Sequence, residues 1–167
     1  MKSREISRIA MITATLVVGR LLLASIPNVQ PMTTLIVLYT LVFGKKEGVL
    51  ISVLSLFISN LYLGLGPWTI GQVAGYTIIV LGTVWIEHMP KTQQFLWIGM
   101  YLFLAGILYG SVMAMAHAVL FGWNILIPYF ISGIPFDLMH SVGNIVFLGL
   151  LYPMKRRVFE RMKLNAD

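Results

Sequence analysis

Residues 95–120, FLWIGMYLFLAGILYGSVMAMAHAVL, run for 26 positions without an Asp, Glu, Lys or Arg. A bilayer core about 30 Å thick is crossed by roughly 20 apolar residues in a helix, so this stretch alone is long enough to span. Similar segments lie at 6–26, 32–43, 49–63, 69–86 and 132–152. Segment 32–43 is short by itself and reaches a full crossing only by tilting or by borrowing its flanks. No small-residue cleavage pattern follows the first segment, which reads as a retained helix and not as a secretory signal. Breaks between segments carry turn chemistry: Pro27-Asn28 with Pro31, Gly44-Lys45-Lys46-Glu47-Gly48, Gly64-Leu65-Gly66-Pro67, His88-Met89-Pro90-Lys91, and Gly122-Trp123-Asn124 with Pro128.

The whole composition agrees with this pattern. Of 167 residues, 58% are hydrophobic and 11% charged, and the mean hydropathy is +0.86. Water is not the main solvent of such a chain. Six spans with short connections use nearly all of residues 1–167, so the expected fold is an all-α integral membrane protein of a single transmembrane domain. The absence of Cys excludes disulfides, thiolate metal sites and a cysteine nucleophile.

Charge placement sets the expected orientation. Lys2, Arg4, Arg8, Lys45, Lys46, Lys91, Lys155, Arg156, Arg157, Arg161 and Lys163, eleven of the twelve basic residues, fall on one side of a six-span arrangement. The connections at 27–31, 64–68 and 121–131 contain no Lys or Arg. By the positive-inside rule both termini are cytoplasmic and those three connections are outside.

The twelfth basic residue, Arg20, lies about six residues from the outer end of its segment, or roughly 9 Å deep. Asp137, five residues into segment 132–152, is the sole acidic residue inside a span and falls at a similar depth. Ionisable groups at such depth face a protein interior or a wet cavity. Two roles remain open for this pair, an internal ion pair that fixes the helices and direct contact with a ligand. Asp137, His140, Ser141 and Asn144 follow i, i+3, i+4, i+7 spacing and share a helix face. Asn60, Thr69 and Gln72 add polar groups near the same level, whereas the inner halves of the spans are almost purely apolar. Polar residues confined to one end describe a pocket open to the outside, because a channel needs polar lining at every level. Single amides and hydroxyls equally serve as glue between helices. The outer connections supply Asn28, Gln30, Trp68, Trp123, Asn124 and Tyr129, whose rings and amides suit a planar or amide-bearing small molecule. Ala10 and Ala14, with Thr13 beside them, form a small-xxx-small pair that admits close approach of another helix, either from this chain or from a partner.

No H-E-x-x-H, G-x-S-x-G or Walker A sequence is present, and His88, His117 and His140 are scattered. The expectation is therefore a non-enzyme without catalytic residues, metal, cofactor or nucleic-acid partner. Two alternatives are a stand-alone carrier or channel, and an intramembrane enzyme with Asp137 and His140 as acid and base.

Three stretches carry a family resemblance: Pro27-Asn28-Val29-Gln30-Pro31-Met32-Thr33, Ser59-Asn60 with Leu63-Gly64-Leu65-Gly66-Pro67-Trp68-Thr69, and Gly133-Ile134-Pro135-Phe136-Asp137-Leu138-Met139-His140 with Gly143-Asn144. Together with the length and helix count, they resemble the substrate-binding S components of energy-coupling factor (ECF) ABC transporters. The resemblance implies a multi-pass subunit of a prokaryotic cytoplasmic membrane that captures a vitamin. It also implies partners, a transmembrane coupling protein and two ATPase subunits, and toppling within the lipid to deliver the substrate. Carried onto this chain, the family's docking motif falls on Ala10 and Ala14. Its binding site falls on Trp68, Thr69, Gln72, Tyr76, Trp123, Asn124, Asp137, His140 and Asn144. Asn28, Gln30 and Thr33 correspond to a loop that acts as a lid. The Pro-Asn-Val-Gln-Pro and Gly-Pro-Trp-Thr pattern looks most like a cobalamin-specific subgroup, while a pterin, deazapurine or pyridine type of substrate suits the same side chains.

Overall fold

The structure is a computed structural model that describes residues 3–164. Lys2, counted above among the basic residues, and the outermost positions of the expected 1–167 domain lie outside the described residues. The chain is helical from α1 (Ser3–Leu22) through α2 (Met32–Phe43), α3 (Lys45–Leu63), α4 (Trp68–Gly82), α5 (Val84–Glu87), α6 (Gln94–Phe121), α7 (Leu126–Met154) and α8 (Glu160–Leu164). Single 3-10 turns precede α6 and α7, and a π-helical turn, Lys155–Phe159, joins α7 to α8. No strand occurs among the described residues.

Four stretches are long and apolar enough to cross a membrane: Lys45–Leu63, Trp68–Glu87, Lys91–Phe121 and Trp123–Leu164. The other two of the six expected segments differ for separate reasons. α1 has the length, 20 residues, but carries Arg4, Glu5, Arg8 and Arg20. α2 has 12 residues, roughly 18 Å at 1.5 Å per residue, and is shorter than a hydrocarbon core. Ten of those residues are buried, because α1, α3, α4, α6 and α7 all pack against it. An enclosed helix meets protein on every side and has no need to match a lipid thickness. Outward-facing Leu54, Phe57, Leu61, Ile70, Leu81, Leu104, Val119, Val146 and Leu150 are exposed, an apolar exterior that suits lipid and not water.

Several element boundaries differ from the sequence expectation. The connection at 44–48 shrinks to Gly44, whose φ of 90° turns the chain directly from α2 into α3; such a conformation favours glycine. Lys45, Lys46 and Glu47 form the first turn of α3, where the amides need no intrahelical acceptor. α7 starts at Leu126 and not at 132, because Pro128 sits in the first turn and costs no hydrogen bond there. α1 ends at Leu22 and not at 26. α6 and α7 approach most closely at Gly106, where a Cβ would lie 2.7 Å from the Ser141 backbone nitrogen. Gly106 and Gly110 form a small-xxx-small pair that lets these two long helices touch.

Several polar side chains inside the bundle are satisfied within the protein. Thr40, Ser55 and Ser59 donate to carbonyls one turn earlier on their own helices, so their burial needs no water. At the end where α2 stops, Arg8 is buried and pairs with Glu47 at 2.6 Å. Its Nε donates to Tyr39 Oη at 3.1 Å, Tyr39 donates to Glu47 at 2.5 Å, and the guanidinium stacks on the Phe43 ring. Phe159 of the π turn packs edge-on against Tyr39, and Lys163 donates to the Val42 carbonyl. Lys155 bonds Gln94 at the start of α6, so Arg8, Lys155 and Lys163 gather at one end of the bundle.

Glu47 is the only carboxylate bonded to Arg8 among the described residues. Glu47→Gln is expected to lower stability in detergent by about 1.5–3 kcal/mol, the range for a hydrogen bond to a charged group, and Tyr39→Phe by about 1 kcal/mol. Thermal unfolding of the two variants checks the order; a greater loss from Tyr39→Phe contradicts the placement of the charge pair.

Candidate functional site

At the end of the bundle away from the Arg8–Glu47 cluster, a partly open cavity of about 380 Å³ lies between the first interhelical loop, α4, α6 and α7. Asn28 contributes from the loop, Gln72 from α4, Tyr109, Gly110 and Met113 from α6, and Tyr129, Phe130, Ser132, Gly133, Phe136 and Asp137 from α7. Its volume falls at the small end of the roughly 300–1,000 Å³ usual for ligand sites.

Local sequence explains this placement. Pro135 lies inside α7 and cannot donate to the carbonyl four residues earlier, so the helix is loosened where Ser132, Gly133, Phe136 and Asp137 face the cavity. Gly110 makes room for the Asp137 side chain: a Cβ there would sit 2.0 Å from both carboxylate oxygens. Asn28, with φ 58°, turns the loop back over α7 and donates through Nδ2 to the Phe136 carbonyl at 3.3 Å. Tyr129 is held by stacking on His117, with ring centroids 4.3 Å apart, and His117 Nδ1 bonds the Met113 carbonyl.

Asp137 is 8% exposed, and its carboxylate has no hydrogen bond or ion pair among the described residues. The possible pair with Arg20 does not form. Arg20 Nη1 donates to Ser59 Oγ at 2.5 Å and Asn60 Oδ1 at 3.0 Å. α1 packs mainly on α3 and α2, and α7 mainly on α6 and α2, so the two charges have different partners. The expected depth of Asp137 also changes. It lies eleven residues after Leu126, roughly 16 Å along the axis, because the helix begins earlier than the sequence suggests.

Four of the fifteen expected binding residues line the cavity: Asn28, Gln72, Tyr129 and Asp137. Arg20, Asn60 and Thr69 form a support behind it. Asn60 Nδ2 donates to Thr69 Oγ1 at 3.1 Å and to Gln72 Oε1 at 2.7 Å, which holds Gln72 in the wall. Thr33, Tyr76 and His140 form a separate buried set, with Thr33 Oγ1 2.7 Å from His140 Nε2 and 3.3 Å from Tyr76 Oη. Tyr109 packs edge-on against His140 and links this set to the cavity wall. Asn144 joins helices: its Nδ2 donates to the Leu102 carbonyl, and Thr34 donates to its own carbonyl. Trp68 covers Gly66. Trp123 and Asn124 are exposed, Gln30 is half-buried, and none of these four lines the cavity. Buried His140 Nδ1 and Asn144 Oδ1 have no protein partner.

The shared face of α7 is thus divided by function. Ser141 and Asn144 bind carbonyls of α6, His140 binds α2, and Asp137 alone meets the cavity. No hydrogen bond joins Asp137 to His140, the acid–base couple that the i, i+3 spacing allows. Sequence reasoning missed Tyr109, Gly110, Met113, Phe130, Ser132, Gly133 and Phe136. The one available signal was Gly110 four residues after Gly106, a small pair in an otherwise apolar span. Among the described residues, no three His, Asp or Glu side chains converge as a metal ion requires.

Ala10 and Ala14 are exposed and lie in a second feature, an apolar groove of about 590 Å³ between α1 and α3. Thr13, Val17, Leu50 and Leu54 complete much of its lining.

No family model, curated protein or solved structure matches the chain.

Because Arg20 and Asp137 share no hydrogen-bond partner, the effects of Arg20→Gln and Asp137→Asn on thermal stability are expected to add to within about 0.5 kcal/mol. A double-mutant cycle in detergent measures the coupling. A value of about 1 kcal/mol or more would restore the direct ion pair.

Proposed function

We propose that this chain is the substrate-binding S component of an ECF-type ABC transporter, a six-span subunit with both termini in the cytoplasm. The observation that carries this reading is a partly open cavity with polar and aromatic lining at the end of the bundle opposite the basic residues Arg8, Lys155 and Lys163. Beneath it lie the packed, uncharged Ile79, Leu102 and Ala105, which suits capture from one side and not a continuous pore. In this reading α1 and α2 complete the six crossings, α2 inside a sheath of other helices. The loop at Asn28 is the lid, and its bond to Phe136 is the contact that opens.

The exposed pair Ala10 and Ala14 in its apolar groove supports docking of a transmembrane coupling protein, whose two ATPase subunits supply the energy. Small side chains there let a partner helix reach the backbone. As to substrate, a cavity of about 380 Å³ supports the smaller expected classes, a pterin, deazapurine or pyridine type, over cobalamin. A corrin ring with its amide arms exceeds that space unless the outer loops move apart.

Two experiments address this reading. Ala14→Trp is expected to abolish uptake in cells that contain the coupling module while substrate binding by the purified chain stays within about twofold; loss of binding instead removes the docking role. The natural absence of Cys makes single-cysteine labelling clean. Gly66→Cys and Asn124→Cys are expected to react with a membrane-impermeant maleimide on intact cells, and Lys46→Cys and Lys91→Cys only after permeabilisation. Labelling of both sets from outside would rule out the six-span arrangement.

A further inference from the structure

The geometry points to a small organic cation as the ligand of the cavity, held by its N–H groups on the carboxylate of Asp137. This inference rests on the transport reading and narrows it to a charge class. Three observations carry it. The first is Asp137 itself, 8% exposed and part of the cavity lining, its carboxylate packed on Gly110 with no protein partner among the described residues. A buried carboxylate is costly unless charge and hydrogen bonds compensate it, and no described residue does so. The second is that Arg20, the one cation buried on this side of the bundle among the described residues, is bonded to groups other than Asp137. It is engaged with Ser59 and Asn60 and does not line the cavity.

The third observation is the rest of the wall. Tyr109, Tyr129, Phe130 and Phe136 present aromatic rings, and no Lys, Arg or His is among the lining residues. Ionised carboxylate oxygens only accept hydrogen bonds, at about four lone-pair sites. A group that completes them must donate, and a positively charged donor does so most strongly. Aromatic faces attract the same charge. Gly110 keeps the carboxylate against the α6 backbone, which leaves the cavity volume for the ligand. An anionic ligand would meet like charge with no cation in the lining to offset it. An amidinium, a protonated primary amine or an amino-substituted heteroaromatic cation fits both the acceptor and the rings.

The test uses three probes of nearly one shape and three charges: benzamidine as its cation, neutral benzamide, and benzoate. Each is added at millimolar concentration to the detergent-purified full chain, and the melting temperature is read. A ligand specific to the folded state raises it by mass action. The expected result is a shift with benzamidine alone. Asp137→Asn should weaken that binding by on the order of a hundredfold, typical for truncating one side of a buried charged contact. The unliganded variant should melt no lower than the wild type, since no protein contact is lost. Equal or larger shifts with benzamide or benzoate, no shift with any probe, or a destabilised unliganded variant that still binds benzamidine would each overturn the assignment. The probe series on the unaltered chain decides the matter even if the variant does not fold. Failure here leaves the transport reading to the Ala14→Trp uptake experiment, which does not depend on ligand charge; failure there leaves the cation site standing as a binding site alone.

Discussion

The arrangement depends on one constraint: a twelve-residue helix, α2, enclosed on all sides. Apolar positions such as Leu35, Ile36, Val37 and Leu38 are fully buried against the surrounding helices. Its few polar side chains have no water to turn to, so each must find a partner within the protein. Thr33 meets His140 of α7 and Tyr76 of α4, Thr34 meets the Asn144 carbonyl, and Tyr39 joins Arg8 of α1 to Glu47 of α3. Lys163 closes the last turn by donating to Val42, a cation at a helix C-terminus where the macrodipole favours it. These bonds fix the rotation of four neighbouring helices around one axis.

The packing around α2 has an electrostatic consequence. Arg20 of α1 bonds α3 and not Asp137 of α7, so two groups that could neutralise each other have different partners. The guanidinium is satisfied by a hydroxyl and an amide oxygen, and the amide passes the constraint on to Gln72 in the cavity wall. The carboxylate keeps its acceptor capacity for the cavity. A direct pair would have used both charges for stability; without it the Asp137 carboxylate has no protein partner among the described residues. Glycine makes the arrangement sterically possible, since Gly106 brings α6 against the Ser141 backbone and Gly110 admits the Asp137 carboxylate. The same close contact lets Ser141 and Asn144 bond carbonyls of α6 and lock the helix that bears the acid.

Asp137, Gln72, Asn28 and Tyr129 were legible as candidates because polar residues in an apolar chain stand out by cost alone. The aromatic and glycine half of the cavity was not, since Tyr109, Met113 and Phe136 look like any other membrane-helix residue until their neighbours are known. His140 and Asn144 were placed on the inward face of α7 by their spacing. Their partners, Thr33 across the bundle and Leu102 on α6, turn them toward helix packing instead of toward the cavity. Boundaries were misread where turn-prone residues had a helical use. Pro128 is cheap in a first turn, and Gly44 alone turns the chain, which frees Lys45 to Glu47 for α3.

The sequence by itself determined the helical, apolar character of the chain, since long runs without charge have only one way to satisfy backbone hydrogen bonds in lipid. It also determined that the basic residues belong to alternate connections, a property of order along the chain. Only the tertiary structure decided which polar groups pair and which are left without a protein partner. Pairing depends on which helices are neighbours and how they are rotated, and hydrophobic burial of α2 sets both. A pattern of i, i+3 and i+4 names a face, but the helix opposite that face is chosen by packing across the whole bundle.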